Sequence, residues 1–249
     1  MLITNKLTKR YDNGYIAVNK LSIHVFKGDV YGFLGPNGAG KTTTIRMITG
    51  LLDQTSGEVQ VDGMEVGKHV EEIRRKIGVL PESHGYYLWM SGREYLHFFA
   101  NMYGVPKNQI RGRVDELLER VGLAQKSNER IQHYSRGMKQ RLGLAKAIVH
   151  SPRLIILDEP TLGLDPQGQR DIQIIIKELN EQLGVTIFIT SHLLREIDEL
   201  CNRVAIVKNG KILEEGWLSE LKDKYRESGE MMSLEHIFLE LTGKEEGVS

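Results

Sequence analysis

The sequence is poor in cysteine and has no long hydrophobic run. Cys201 is the single cysteine among 249 residues, so no intramolecular disulfide can form and the chain suits a reducing compartment. It ends a predicted helix, 193–201, where we expect a buried thiol. The longest apolar stretches, such as 154–157 and 185–189, are far shorter than the ~18 residues that cross a bilayer. We therefore expect a cytoplasmic protein that reaches a membrane only through a partner.

Net charge is also absent. The 33 Lys and Arg residues balance 33 Asp and Glu residues, which leaves a formal charge of zero. Nucleic-acid binding depends on a clustered basic surface, so we expect no nucleic-acid partner. The first six residues also lack the charged-then-apolar layout of a secretion signal.

Short β-type runs alternate with helical patterns along the chain. This alternation predicts an α/β fold with a mainly parallel sheet flanked by helices. Several of the runs are nearly continuous Val, Ile and Leu, which is typical of strands covered on both faces. The predicted strands are residues 30–34, 58–61, 77–80, 154–157, 185–189 and 204–207.

The middle of the chain, between about residues 91 and 149, shows helical periodicity and no good strand. Gly122 follows one apolar stripe as a C-terminal stop. We therefore predict a helical lobe inserted into an α/β lobe. The stripe has the i, i+3, i+4, i+7 spacing of one helix face and consists of Val114, Leu117, Leu118 and Val121.

Residues 35–42 match the phosphate-binding pattern G-x-x-x-x-G-K-[ST]. A predicted strand precedes them and a predicted helix, 42–48, follows, so the positive end of the helix dipole faces the bound phosphates. Lys41 can reach the β- and γ-phosphates, and the Thr42 hydroxyl can bind Mg²⁺. The predicted nucleotide-binding residues of this segment are Gly35, Pro36, Asn37, Gly38, Ala39, Gly40, Lys41, Thr42 and Thr43.

A second motif is the apolar strand 154–157, which ends in Asp158 and Glu159. In phosphate-loop ATPases a strand beside the loop delivers such an Asp to the Mg²⁺ shell. Glu159 is then placed to polarise an attacking water, as a general base does. These two elements alone would also suit a kinase or a GTPase.

The segment 134–141 decides among these classes. It reads Tyr-Ser-Arg-Gly-Met-Lys-Gln-Arg and resembles the ATP-binding cassette (ABC) signature, usually Leu-Ser-Gly-Gly-Gln. Ser135 is predicted to cap a helix. The resemblance implies that Ser135 and Gly137 face the γ-phosphate held by another subunit. Tyr134, Arg136 and Met138 depart from the commoner Leu, Gly and Gln.

Further residues have roles implied by the resemblance. Asp165, in the segment 163–166, belongs to a loop through which two subunits communicate. His192 is similar to the switch histidine that contacts γ-phosphate, and Tyr11 to the aromatic that stacks on adenine. Glu82 stands where the family commonly has a glutamine that touches Mg²⁺ and water. Glu82 offers an oxygen ligand to the metal, but it adds a negative charge beside phosphate.

The resemblance implies one ABC ATPase domain with a RecA-like phosphate-loop sheet, antiparallel β elements and an inserted helical subdomain. The expected α/β lobe covers about 1–84 and 150–220, and the helical lobe about 85–149. A helical extension of about 221–249 follows. Residues 233–243 are similar to the closing segment of type-2, daunorubicin-resistance-like exporter ATPases.

The implied function is Mg²⁺-dependent ATP hydrolysis by a dimer of identical or related ATPase subunits that sandwiches ATP. This dimer powers a separate membrane permease, and the chain is peripheral on the inner face of the membrane. The alternatives are a soluble ABC ATPase acting on ribosomes or nucleic acid, an unrelated phosphate-loop kinase, and a nucleotide-sensing regulator.

The segment 83–90 is the expected docking site of the permease. It contains five large apolar or aromatic residues without helical or strand period. A purely structural role would bury all of them, whereas exposed ones would anchor a partner.

Overall fold

The computed structural model describes residues 1–83, 85–226 and 232–243. Its strands, in chain order, are β1 (Leu2–Arg10), β2 (Ile16–Val25), β3 (Val30–Leu34), β4 (Ser56–Val61), β5 (Met64–Glu65), β6 (Ile77–Leu80), β7 (Leu154–Asp158), β8 (Thr186–Ser191), β9 (Arg203–Lys208) and β10 (Lys211–Trp217). Its helices are α1 (Lys41–Ile48), α2 (Val70–Lys76), α3 (Gly92–Met102), α4 (Lys107–Arg120), α5 (Arg136–Ala147), α6 (Pro166–Glu181), α7 (Leu194–Leu200), α8 (Leu218–Lys224) and α9 (Leu234–Gly243).

The first of two compact units comprises residues 1–73 and the described residues from Thr186 onward. In this unit β3 pairs in parallel with β8 and with β9, and β10 pairs antiparallel with β9. A second sheet is antiparallel, with the strand order β2-β1-β4-β5. All five residues of β3 are buried, because both faces of the strand are covered.

Helix α7 packs closely on β3. A Cβ at Gly32 would lie 2.8 Å from Cγ2 of Ile197 and 3.0 Å from Sγ of Cys201, so only glycine allows this approach. Cys201 itself is buried, as predicted, and burial raises the pKa of its thiol well above the ordinary value. The thiol is therefore a small apolar packing group here.

The second unit comprises residues 74–185 and contains the parallel pair β6–β7 with helices α3 to α6. A capping box begins α3: Ser91 Oγ accepts the Glu94 amide, and the Glu94 carboxylate accepts the Ser91 amide at 2.8 Å. The four residues of the predicted apolar stripe are all buried. Gly122 follows α4 with φ +65°, a left-handed conformation that glycine adopts without strain.

The predicted α/β fold is confirmed, and each of the six predicted strands coincides with an observed one. Sequence analysis named none of the antiparallel strands β1, β2, β5 and β10. In β1 the alternation of buried and exposed residues is broken, because the pairing with β4 shifts register between Asn5 and Thr8. Lys6 lies at this shift with φ 47°, so the simple period-2 pattern of a strand is lost.

The lobe boundaries near residues 85 and 149 stay a prediction. The expected C-terminal extension overlaps α8 and includes α9. Its residues 227–231 and 244–249 lie outside the described part of the chain, as does His84 in the expected docking segment. In α9, Leu234 and Ile237 are buried.

Candidate functional site

The phosphate loop, residues 35–42, connects β3 to α1 in the first unit. Two of its glycines are required by close backbone contacts. A Cβ at Gly35 would lie 2.4 Å from the Val207 carbonyl oxygen, and a Cβ at Gly40 would lie 2.3 Å from that of Ala17. Gly40 also has φ 96° and forms the N-cap of α1. The loop shape therefore depends on glycine at both positions.

Lys41 is the first residue of α1 and is nearly buried, with 7% of its surface exposed. Its ammonium Nζ donates to the Gly35 carbonyl at 2.7 Å, so the side chain folds back along the loop. No acidic residue lies in the first turn of α1, and no side chain caps it. The positive end of the helix dipole is thus not neutralised by its own helix and suits an anion.

His192 leaves the sheet at the same edge as the phosphate loop. The parallel register pairs Leu34 of β3 with Ser191 of β8, and Gly35 and His192 follow these residues directly. The turn is held by Ser191, whose hydroxyl accepts from the Leu193 amide at 3.0 Å and donates to Glu196 at 2.6 Å. His192 is exposed, so the first unit brings the loop and the predicted switch histidine to one edge.

Tyr11 follows β1 directly and stacks on Tyr15, with ring centroids 6.4 Å apart and an interplanar angle of 12°. Lys9 Nζ lies 5.6 Å from the Tyr11 centroid. Tyr11 is half-buried and Tyr15 is exposed. An aromatic ring that is partly exposed is the kind of group that can stack on a base.

The acidic residues of the second unit share another strand edge. The register pairs Leu80 of β6 with Leu157 of β7. Glu82 therefore leaves the sheet on the same side as Asp158 and Glu159. Asp158 is buried, with 3% exposed, and Glu159 is 9% exposed. Glu159 has φ 51°, a left-handed conformation that costs a non-glycine residue about 1–3 kcal/mol and is often found at functional sites.

The helix predicted after Ser135 is α5, and its cap is confirmed: Ser135 Oγ accepts the Met138 amide at 3.2 Å. Gly137 lies in its first turn. Tyr134 stands where the signature usually has leucine, and the structure explains this difference locally. The ring is buried and its hydroxyl donates to the Lys126 carbonyl at 2.7 Å. A Cβ at Gly92 would lie 2.4 Å from that hydroxyl, so glycine makes room for it.

Asp165 caps a helix, whereas its role between two subunits stays a prediction. Its carboxylate accepts the Gly168 amide at 3.0 Å and caps α6, which begins with Pro166. Asp or Asn at the N-cap followed by proline is a common helix start. The loop that contains Asp165 thus ends in a fixed position at the helix terminus.

A cleft of 480 Å³ in the second unit joins Glu82 and Glu159 to one face of α5. Sequence analysis did not assign the α5 side chains that line it. The sequence feature that could have identified these side chains is the spacing of Arg136 and Gln140. They are four residues apart and so share one helix face. The lining residues are Glu82, Gly85, Tyr86, Leu88, Arg136, Lys139, Gln140, Glu159 and Leu162.

Comparison with known proteins identifies the family. The model of the ABC transporter family matches residues 18–162. The chain belongs to this family. Bacitracin transport ATP-binding protein BcrA of Bacillus licheniformis is 45% identical over 223 residues, which cover 90% of this chain and 72% of BcrA.

Two solved structures of ABC proteins agree with the fold. The ATP-binding subunit of an ABC transporter aligns with a TM-score of 0.87 at 28% identity, over 97% of this chain and 99% of that one. A dimeric ATP-binding cassette in a post-hydrolysis state, bound to ADP and Pi, aligns with a TM-score of 0.80 at 26% identity, over 88% and 99%. As an ABC family member the chain is an ATP-binding transporter subunit and an ATPase. In the described residues, no helix is long and apolar enough to span a bilayer.

Proposed function

We propose that this chain binds Mg²⁺-ATP at residues 35–43 and hydrolyses it in a sandwich with a second ABC ATPase subunit. That subunit is either a second copy or a related chain. Hydrolysis powers a separate membrane-embedded permease, which holds the chain at the cytoplasmic face of the membrane. The observation that carries the proposal is the glycine-shaped loop at the uncapped N-terminus of α1, with Lys41 at its start.

The first unit provides the groups that hold the nucleotide. Lys41 would exchange the Gly35 carbonyl for the β- and γ-phosphate oxygens, which are stronger acceptors for an ammonium. Main-chain amides of the loop and of Thr43 would bind the other phosphate oxygens. His192, at the same sheet edge, would contact the γ-phosphate, and Tyr11 would stack on adenine.

The second unit provides the acidic groups for hydrolysis. Glu159 would accept a proton from the attacking water. The reaction is phosphoryl transfer to water, which depends on positioning and on charge stabilisation. Ser135 and Gly137 would face the nucleotide bound by the other subunit, and Asp165 would lie in the loop between the two subunits.

Oxygen ligands suit Mg²⁺, which is commonly bound by one or two carboxylates together with substrate phosphates. Asp158 and the Thr42 hydroxyl fit this pattern, and Glu82 adds a third oxygen donor. In the part of the chain that the structure describes, no group of three His, Cys, Asp or Glu residues could hold a metal by itself. When bound, Mg²⁺ would neutralise charge on the β- and γ-phosphate oxygens.

Export is the proposed direction of transport. BcrA, 45% identical to this chain, is named as a bacitracin transport protein. The segment 233–243 resembles the end of type-2 exporter ATPases, and the described structure places its buried residues on one face of α9. The resemblance of segment 233–243 favours export, and the name of BcrA favours an antibiotic-like substrate.

The permease docks, we propose, on the exposed aromatic surface of the second unit. Tyr87, Leu88 and Trp89 are 42%, 48% and 66% exposed. Phe98 of α3 extends this surface, with its ring 5.7 Å from that of Tyr87 in an edge-on arrangement. Tyr86 instead donates to the Lys139 carbonyl at 2.6 Å and connects the segment to α5. A short cytoplasmic helix of the permease is the proposed occupant.

Two substitutions test the proposed function. Glu159→Gln keeps the shape but cannot accept the proton, so hydrolysis should fall by about 10²-fold or more while ATP still binds. Lys41→Ala should lose both ATP binding and hydrolysis, because it removes the charge at the phosphates. The measurements are ATPase rate, nucleotide affinity and sizing chromatography with ATP or ADP.

The two variants should also differ in assembly. Glu159→Gln should form a dimer with ATP and not with ADP, whereas Lys41→Ala should stay monomeric with both. Full activity of Lys41→Ala would show that the phosphate-loop assignment is wrong. A wild-type rate for Glu159→Gln would remove Glu159 from the role of base.

A further inference from the structure

The loop after β7 carries Glu159 and runs to Asp165, the cap of α6. Its backbone forms two successive turns. The Leu162 amide donates to the Glu159 carbonyl at 3.1 Å, and the Leu164 amide donates to the Thr161 carbonyl at 3.1 Å. These local bonds shape the loop but do not attach it to the rest of the second unit.

Helix α5 makes that attachment at two points. Gln140 Nε2 donates to the Pro160 carbonyl at 2.6 Å, directly after Glu159. Arg136 lies one turn earlier on the same helix face. Its guanidinium packs on the backbone of Gly163, where a Cβ would lie 2.2–2.5 Å from the guanidinium atoms. The helix therefore holds both halves of the loop.

The backbone conformation of Glu159 indicates what the contacts from α5 stabilise. Glu159 has φ 51° and precedes a proline, which further restricts its backbone. A non-glycine residue stays in such a conformation only when surrounding contacts hold it there. The bond from Gln140 to the Pro160 carbonyl fixes the neighbouring residue, so its loss would free the Glu159 backbone to relax.

We propose that Gln140 and Arg136 are positioning residues that link α5, the helix of the signature segment, to the general base Glu159 of the same subunit. Because α5 begins at the Ser135 cap, any shift of this helix on contact with the partner's nucleotide would move Pro160 and Gly163. The Glu159 carboxylate would then reach the position in which it accepts the proton of the attacking water only when the two subunits have closed around ATP. The inference rests on the proposed function and adds a coupling within one subunit.

The test uses the full chain and compares Gln140→Met with wild type. Methionine keeps the length of the side chain but donates no hydrogen bond. We expect kcat to fall by about tenfold to a hundredfold, since small displacements of a reacting group have effects of this size. KM and the affinity for ATP should stay within about twofold, because the groups that bind the nucleotide are untouched. Gln109→Met, on the exposed side of α4, is the matched control.

A double variant separates positioning from general destabilisation. In the Glu159→Gln background, single-turnover hydrolysis should show no further loss from Gln140→Met, because the group being positioned is already gone. Arg136→Met should behave in the same way, with Arg136→Lys recovering part of the rate. These variants also serve if Gln140→Met does not fold.

An unchanged kcat for both Gln140→Met and Arg136→Met would overturn the inference. So would an equal fold-loss with and without the Glu159 carboxylate, because the effect would then not act through it. Absence of ATP hydrolysis by the wild type, or full activity of Lys41→Ala, would instead count against the proposed function.

Discussion

His150 is a half-buried imidazole in the second unit. Its ring stacks on Tyr103 with centroids 4.1 Å apart, and Nε2 lies 3.0 Å from the Ile77 carbonyl oxygen. Because a carbonyl oxygen can only accept, Nε2 is the ring nitrogen that donates this hydrogen bond. Burial lowers the pKa of His150, and the charges of Arg113 and Lys146 lower it further, against the opposing effect of the Ile77 carbonyl.

This lowered pKa predicts a loss of stability in acid. The unfolded histidine titrates near pH ~6.5 and binds protons more readily than the folded one, so unfolding is favoured as the pH falls below about 6.5. His150→Gln keeps a donor for Ile77 but does not titrate. Between pH 7.5 and 5.5 the Tm of the wild type should fall more than that of the variant. Parallel decreases in Tm would show that other groups govern the acid response.

At the scale of elements, close approach between β6 and α5 depends on one glycine. A Cβ at Gly78 would lie 2.0 Å from the Ala147 carbonyl oxygen, at the C-terminal end of α5. Strand β6 leads to Glu82, and α5 carries Ser135 at its start. The spacing of these two elements therefore affects both sides of the cleft that contains Glu159.

Gly78→Ala should destabilise the protein by about 1–3 kcal/mol, because backbone atoms must move to admit the methyl group. Gly112→Ala is the matched control on the exposed face of α4, where nothing lies within 4 Å of the added Cβ. It should stabilise the protein by about 0.5–1 kcal/mol, since alanine favours a helix over glycine. Urea unfolding of the full-length variants measures both values. If both substitutions change the free energy of unfolding by equal and small amounts, β6 and α5 can move apart without loss of stability.

At the scale of the whole molecule, attachment to a membrane partner cannot depend on overall charge, because the chain has a formal net charge of zero. In the proposed complex the exposed aromatic surface at Tyr87, Trp89 and Phe98 would supply apolar contact instead. Such anchors commonly provide much of the binding energy of an interface. The part of partner binding that these apolar contacts provide should therefore depend little on salt.

Trp89→Ala should reduce association with the permease, because it removes an exposed aromatic side chain. The fold and the affinity for ATP should stay unchanged, because Trp89 is 66% exposed and is not part of the core. Loss of a central aromatic anchor commonly costs about 2 kcal/mol or more of binding energy. Ile174→Ala, which removes an exposed side chain from α6, is the control. Co-purification of each variant with the permease measures the effect. Equal retention by the two variants would place the docking surface elsewhere.

Much of the site could be predicted because its signals are local. The phosphate loop and the strand that ends in Asp158 and Glu159 are each contained in one short segment, and strand ends mark the functional edge of a parallel sheet. The Ser135 cap could also be predicted from the sequence, since a capping hydroxyl accepts from an amide only three residues ahead. Strand β1 was not readable, because its register shift hides the alternation.

The sequence by itself predicted the phosphate-loop motif, the six strands β3, β4, β6, β7, β8 and β9, and the departures at Tyr134 and Glu82. Only the tertiary structure decided how Tyr134 is accommodated and which side chains of α5 contact the loop after Glu159. Gln140 and Pro160 are 20 residues apart, and Arg136 meets Gly163 across a similar separation. Contacts of this range follow from packing and not from periodicity, because helix and strand patterns specify which face is buried but not which loop it meets.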